Sequence, residues 1–236
     1  MSAGDLTPFG PLTTDVTVGL NFARPSFDWA RVPVKFFEVV YGALAPHYAL
    51  RSRDFSVLPA DNYGAVSATY TLFGGNSTIT LQPDKLVAQF PSLKPSDSQI
   101  VADIMSRVHD EFMNTFEDIP VASFEYREYG HHELFGIDIN SYLARLVAPN
   151  LNDRAAENGL QMTGGLHLSL VADNNLSSTS LHFERSLLSP AALFAAIEIR
   201  STELKRVTYQ QKSELVADLI SRALATVGLK PKSEQS

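Results

Sequence analysis

Between residues 14 and 22 the chain alternates, with Val16, Val18, Leu20 and Phe22 on one parity and Thr17, Gly19 and Asn21 on the other. A period of two over that length predicts a half-buried strand. Arg24-Pro25-Ser26 breaks it, and Pro33 stands where a helix takes its first turn. That helix runs to about Leu44 on a stripe of Phe36, Phe37, Val40, Tyr41 and Leu44, and Pro46 ends it. A short extended run at 55–58 and a turn at Pro59-Ala60-Asp61-Asn62 come next, then strands at 65–73 and 77–81 around Gly74-Gly75-Asn76, a hairpin signal. A strand at 85–90 and a long helix at 96–116 close this half.

The order then recurs. A strand is expected at 122–129, a helix at 140–147 stopped by Pro149, a polar turn-rich stretch at 150–159, and a hairpin of 165–172 with 178–185 about Asp173-Asn174-Asn175. A strand at 193–200 and a helix at 208–229 complete it. The two long helices are nearly the same text: Ser-Gln-Ile-Val-Ala-Asp-Ile-Met-Ser-Arg at 98–107 and Ser-Glu-Leu-Val-Ala-Asp-Leu-Ile-Ser-Arg at 213–222, identical at six of ten positions. In the first, Val101, Ile104, Met105, Val108 and Phe112 form one stripe at helical spacing, and in the second Val216, Leu219, Ile220, Ala223 and Val227 do. Ser96 with Gln99, and Thr208 with Gln211, have capping-box spacing, and Gly228 is placed to end the second helix.

The expectation is an α+β fold built from an internally duplicated unit of strand, helix, antiparallel strands and helix, with pseudo-twofold antiparallel sheet or sheets covered by helices. Residues 1–11 are read as an irregular arm, 12–117 as the first repeat, 118–229 as the second and 230–236 as a fraying tail. Periodicity leaves open whether the repeats share one sheet.

Composition narrows the function only a little. Without cysteine there is neither disulfide framework nor thiolate chemistry. A net charge of −7 argues against a general nucleic-acid binder, whose affinity rests on phosphate neutralisation. No apolar run approaches membrane-spanning length, and the N-terminus lacks the basic start and apolar core of a secretory signal, so a soluble cytoplasmic protein with no membrane partner is expected.

Three polar groups are candidates for chemistry. With the second hairpin centred on Asn174-Asn175, residues whose numbers sum to 349 face each other, which sets His167 opposite His182 and Ser169 opposite Ser180, with Glu184 on the same face. Two imidazoles and a carboxylate are ligands zinc accepts, although the pattern puts them on the polar face, where solvated histidines are the plain reading. His131 and Glu133 share a face of the 122–129 strand if it continues, with His132 pointing away; a metal or pH-sensing role competes with a simple polar strand end. The repeated pairs Asp103/Arg107 and Asp218/Arg222 read as solvated i,i+4 ion pairs, or as contacts repeated to a symmetric partner. His109-Asp110-Glu111 fan around the helix axis and are not expected to form one tight site. The aromatic stripe around Trp29, Phe36, Phe37 and Tyr41 reads as core rather than as a ligand pocket. No Walker motif, G-x-S-x-G or H-E-x-x-H is present.

At Leu12-x-x-x-Val16-x-Val18-x-Leu20-x-Phe22, and again at Leu81-x-x-Asp84-Lys85-Leu86 followed by the 96–116 helix and the Glu125-Tyr126 strand, the chain resembles a sporadically distributed bacterial family of proteins of unknown function, roughly 250 residues long, a single-domain size. The aromatic and arginine-containing stretch usual after Leu86 is replaced by Val87-Ala88-Gln89-Phe90. The resemblance implies a soluble bacterial protein and transfers no site residue. Duplication without a catalytic signature favours a non-enzymatic binding or assembly protein acting on a protein partner or as a homo-oligomer. A small-molecule binder, or a metal-dependent enzyme with a pocket between sheet and helices, is the alternative.

Overall fold

The opening alternation becomes strand β1 (Thr7–Phe22), and its buried parity, Val16, Val18, Leu20 and Phe22, is the predicted one. In the computed structural model, which describes residues 6–25, 32–58, 66–146, 165–172, 174–189, 191–203 and 207–232, β1 lies between two antiparallel neighbours, β5 (Lys85–Leu93) and β6 (Val121–Leu134). Outward from β5 come β4 (Ser77–Gln82), β3 (Ser67–Leu72) and β2 (Phe55–Leu58). Outward from β6 come β9 (Ala192–Ser201), β8 (Ser177–Arg185) and β7 (Leu166–Val171). All of these pairings are antiparallel; β10 (Leu229–Pro231) adds a parallel pairing to the start of β1, giving one sheet of ten strands.

Two expectations are corrected at the termini. Residues 7–11 are strand rather than arm, because β10 pairs Thr7 with Leu229 and β6 pairs Phe9 with Leu134, so their backbone groups are served by partners distant in sequence. By the same pairing Lys230 and Pro231 belong to the sheet rather than to a tail. The turn expected at 59–62, the stretch at 150–159 and Trp29 lie outside the described residues.

Among the described residues four α-helices accompany the sheet: α1 (Val32–Leu44), α2 (Ser98–Thr115), α3 (Ile139–Leu146) and α4 (Tyr209–Thr226). The predicted stripe of α2 is buried, and it shares one apolar cluster with side chains of β1, β3, β4, β5 and α1. Each such side chain is worth about 1.5–3 kcal/mol on burial, against about 0.3–0.5 kcal/mol for an exposed i,i+4 ion pair. The stripe therefore sets how α2 docks. A second cluster joins Leu181, Phe183, Leu193, Ala195 and Ile197 to α3 and to Ala223 and Leu224 of α4.

The helix starts differ. Thr208 caps α4, its Oγ1 accepting from Gln211 N and its own N–H donating to Gln211 Oε1 at 3.1 Å; the left-handed Gly228 (φ 77°) ends the segment. At α2 the expected Ser96–Gln99 box is absent. Pro95 opens a 3₁₀ turn one step earlier, and Asp97 turns its carboxylate back to accept from Lys94 N at 2.9 Å.

Candidate functional site

Strand β6 runs five residues past the predicted 129, and its even-numbered residues from Phe124 to Leu134 lie on one face. Phe124 and Leu134 are the apolar members of that face, and between them stand Tyr126, Glu128, Gly130 and His132. Gly130 is required by close approach. A Cβ there would lie 2.2 Å from Thr13 O and 2.7 Å from Thr14 Cα, at the bulge where β1 shifts register between Pro11 and Thr13.

Polar groups on a buried face need partners, and here they serve one another. The Tyr126 hydroxyl donates to Glu128 Oε2 at 2.7 Å and His132 Nε2 donates to Glu128 Oε1 at 3.1 Å. His132 Nδ1 faces the carbonyl of Gly130 at 3.3 Å, and its ring stacks on Phe9 with centroids 4.4 Å apart. Burial pushes the Glu128 carboxyl up, but the bonds from His132 and Tyr126 outweigh it and hold it below the usual range. Burial and the neighbouring Glu128 charge push the Tyr126 hydroxyl well up, so it stays a donor.

The Glu128 side chain is 17% exposed, and that exposure opens into a cleft of about 200 Å³. Thr14 and Val16 of β1, Leu93 at the end of β5 and Lys94 after it, Ser98 and Val101 of α2, and Tyr209 and Ser213 of α4 form its walls. Ser98 and Ser213 are equivalent positions of the repeated ten-residue text.

Beside the cleft a second chain of bonds ties α4 to α2. Asp110 Oδ1 accepts from the backbone N–H of Tyr209 at 2.8 Å and from His109 Nδ1 at 2.7 Å. With that proton on Nδ1, His109 Nε2 accepts from Lys212 Nζ at 2.7 Å, and Nζ also donates to Val207 O at 3.1 Å. Lys212 is fully buried, and burial lowers its ammonium from 10.5 to about 8; burial, then the Lys212 charge, lowers His109 from 6.5 to about 4. Of the three consecutive residues, His109 and Asp110 meet each other, the Asp110 carboxylate turning toward the start of α4.

The predicted candidates lie elsewhere. His167 does face His182, and Ser169 faces Ser180, in the expected register. The two imidazoles stack parallel with centroids 6.0 Å apart, His182 Nε2 stands 3.6 Å from Glu184 Oε2, and His167 Nε2 is 3.0 Å from Ser180 Oγ. These residues occupy the outer face of the sheet, opposite the buried Leu181 and Phe183. His131 and Glu133 share that outer face, with His131 Nδ1 2.9 Å from Ser186 Oγ; β9 lies between β6 and β8, so the two histidine groups are kept apart. Among the described residues no group of three or more His, Cys, Asp or Glu is gathered so that it would hold a metal ion.

The repeated ion pairs form in both helices, at 2.9 Å for Asp103–Arg107 and 3.0 Å for Asp218–Arg222. The first is further tied in. Asp103 also accepts from the Tyr48 hydroxyl at 2.9 Å, and Arg107 donates to His47 Nε2 at 2.8 Å. The Arg107 guanidinium holds the Asp103 carboxyl below the usual range.

Glu128, His132, His109 and Lys212 were not singled out as a site from sequence. The signal was present as polar residues on the parity or stripe that the apolar neighbours mark as buried, but it required knowing that β6 continues through Gly130.

No family model matches the chain, and no curated protein matches it. Among solved structures the chain aligns with the Diels Alderase AbmU from Streptomyces koyangensis at 10% identity, covering 100% of this chain and 86% of that one with a TM-score of 0.15. It aligns likewise with a nonspecific heme-binding cyclase of neoabyssomicin biosynthesis, at 10% identity, 98% and 82% coverage and a TM-score of 0.16. Likenesses at these TM-scores carry no argument about fold or function. No helix among the described residues is long and apolar enough to cross a membrane.

Proposed function

We propose that the chain is a small-molecule-binding protein whose ligand enters the cleft between the central strands and helices α2 and α4 and presents a hydrogen-bond donor to Glu128. The observation that carries this reading is the Glu128 carboxylate itself, 17% exposed and lining the cleft. A carboxylate offers about four acceptor positions, and the bonds from Tyr126 and His132 take two. An amine, amide or hydroxyl group suits the remaining positions, while Val16, Leu93 and Val101 suit an apolar body. At about 200 Å³ the space is below the roughly 300–1,000 Å³ of drug-sized sites, so the ligand is small.

A thermal-shift screen of small amines, amides and alcohols, followed by calorimetric titration of the hits, tests this. The expected result is a saturable ligand whose affinity drops about ten-fold or more in Glu128→Gln, the loss of one charge-assisted hydrogen bond. Hits that bind the variant equally well, or no hit at all, would refute the reading.

The fold is proposed to be an internal duplication whose helices cover one face of the sheet. Support comes from the strand order, which runs β5-β4-β3 outward from β1 and β9-β8-β7 outward from β6, and from the repeated helix text. An experimental structure in which no rotation about an axis between β1 and β6 brings α2 onto α4 would reject it.

A second reading, self-association, is favoured by β2, which is the last strand on its side of the sheet among the described residues. All four of its residues are exposed, Val57 and Leu58 among them, and Phe55 meets Phe37 of α1 with ring centroids 4.5 Å apart. Unpaired backbone beside apolar side chains is a template for strand addition. Light scattering that gives a dimer in the wild type and a monomer in Val57→Lys would support it; a monomeric wild type would exclude it.

A further inference from the structure

A separate cavity of about 300 Å³ opens on the far side of α2, between the residues that follow α1 and the β3–β4 hairpin. Its floor is apolar, with Leu50, Leu72 and Ile104. Two aromatic rings wall it: Tyr48 and Phe73 stand edge to face, 82° apart with centroids separated by 6.1 Å. Arg51 and Arg53 form its rim, and among the described residues neither guanidinium has a hydrogen-bond or ion-pair partner.

Each wall carries an independent mark of a binding role. Phe73 holds a left-handed backbone (φ 52°), followed by Gly74 and Gly75 at 72° and 112°. Glycine adopts that region freely, whereas a bulky residue there is strained. The strained residue is also 51% exposed at the cavity, so the chain itself gains neither backbone ease nor full burial from the phenyl group. Tyr48 is held from behind, its hydroxyl donating to Asp103, which is itself clamped by Arg107. That fixes the ring at the cavity wall and gives the first copy of the repeated ion pair a role the second lacks. Counting Arg51, Arg53 and Arg107 against Asp54 and Asp103, the described residues of the neighbourhood carry one net positive charge on a chain of −7. A flat apolar ring fits over the Leu50, Leu72 and Ile104 floor beside the Tyr48 and Phe73 rings, and an anionic head fits the guanidinium pair, which favours planar oxyanions.

We propose that this cavity is a binding site for a small aromatic anion, a ring bearing a carboxylate or a phosphate. The experiment is calorimetric titration of the full chain at low ionic strength with benzoate, phenyl phosphate, inorganic phosphate and benzylamine. Saturable binding of benzoate or phenyl phosphate is expected, and the tighter of the two identifies the head group. Inorganic phosphate and benzylamine each lack one of the two features and should bind at least about ten-fold more weakly. Arg51→Gln/Arg53→Gln, on exposed positions, should weaken the ring anion at least about ten-fold. Phe73→Gly should lose the ring contact while its unfolding temperature holds or rises, because glycine relaxes the backbone. Absence of saturable binding by both ring anions, benzylamine binding as tightly as benzoate, or unchanged affinity in either variant would overturn the proposal.

Discussion

Replacing Lys212 by methionine removes a charge from the interior while keeping an unbranched chain of similar length. In the folded protein the ammonium titrates at about 8 instead of 10.5, because burial disfavours its charged form more than Asp110 favours it. The sign follows from proton counting. Between those two values the unfolded chain holds the proton and the folded protein does not, so this lysine makes stability rise with pH across that window. Below about 8 its full cost is present, about 3 kcal/mol at roughly 1.4 kcal/mol per pH unit. By pH 9.5 about 2 kcal/mol of that is recovered. Methionine carries no such cost but leaves His109 Nε2 without its donor, a loss of about 1–3 kcal/mol. The two proteins should therefore be close in stability near neutrality, and the wild type should gain about 2 kcal/mol on the variant between pH 7.5 and 9.5. Urea unfolding followed by circular dichroism at three pH values measures this, and taking the difference cancels the tyrosines, which titrate in both proteins. A difference that stays flat with pH, or that grows in favour of Lys212→Met, would refute the buried-ammonium reasoning.

Three further outcomes are expected. Gly130→Ala drives a methyl to within 2.2 Å of Thr13 O, backbone that cannot move without breaking the β1–β6 ladder; a loss of about 3 kcal/mol or more in urea unfolding is expected, at the severe end for point changes. Glu128→Leu strips His132 and Tyr126 of their acceptor and should cost about 3–5 kcal/mol, with Glu128→Gln costing about 1–2 kcal/mol because it keeps an acceptor oxygen; equal losses in the two would show that the carboxylate's hydrogen bonds do not matter. Thr208→Ala removes the N-cap of α4 and should lower stability by about 1 kcal/mol, read as a lower denaturant midpoint at unchanged slope.

Local rules reached far into this chain. Turn residues and a period of two placed the β7–β8 hairpin so closely that His167 does face His182, because hairpin register depends on a few neighbouring residues. Helical spacing likewise named the buried stripe of α2, and the Thr208 box and Gly228 marked the ends of α4. What lay beyond those rules was long-range. Whether the strands formed one sheet depended on β1 lying against β6, a pairing between segments about a hundred residues apart. That same pairing turned Gly130 from an apparent strand end into a point of contact, carried β6 on to Leu134 and drew Phe9 out of the supposed arm, while β10 drew Thr7 out of the arm and Lys230 out of the supposed tail. The polar residues followed. Glu128, His132, His109 and Lys212 are ordinary hydrophilic letters until a second element closes over them, and only then must each find a partner or shift its proton affinity. Period and turn chemistry act between neighbours and are written along the chain; burial and electrostatics arise between elements and exist only once those elements have met.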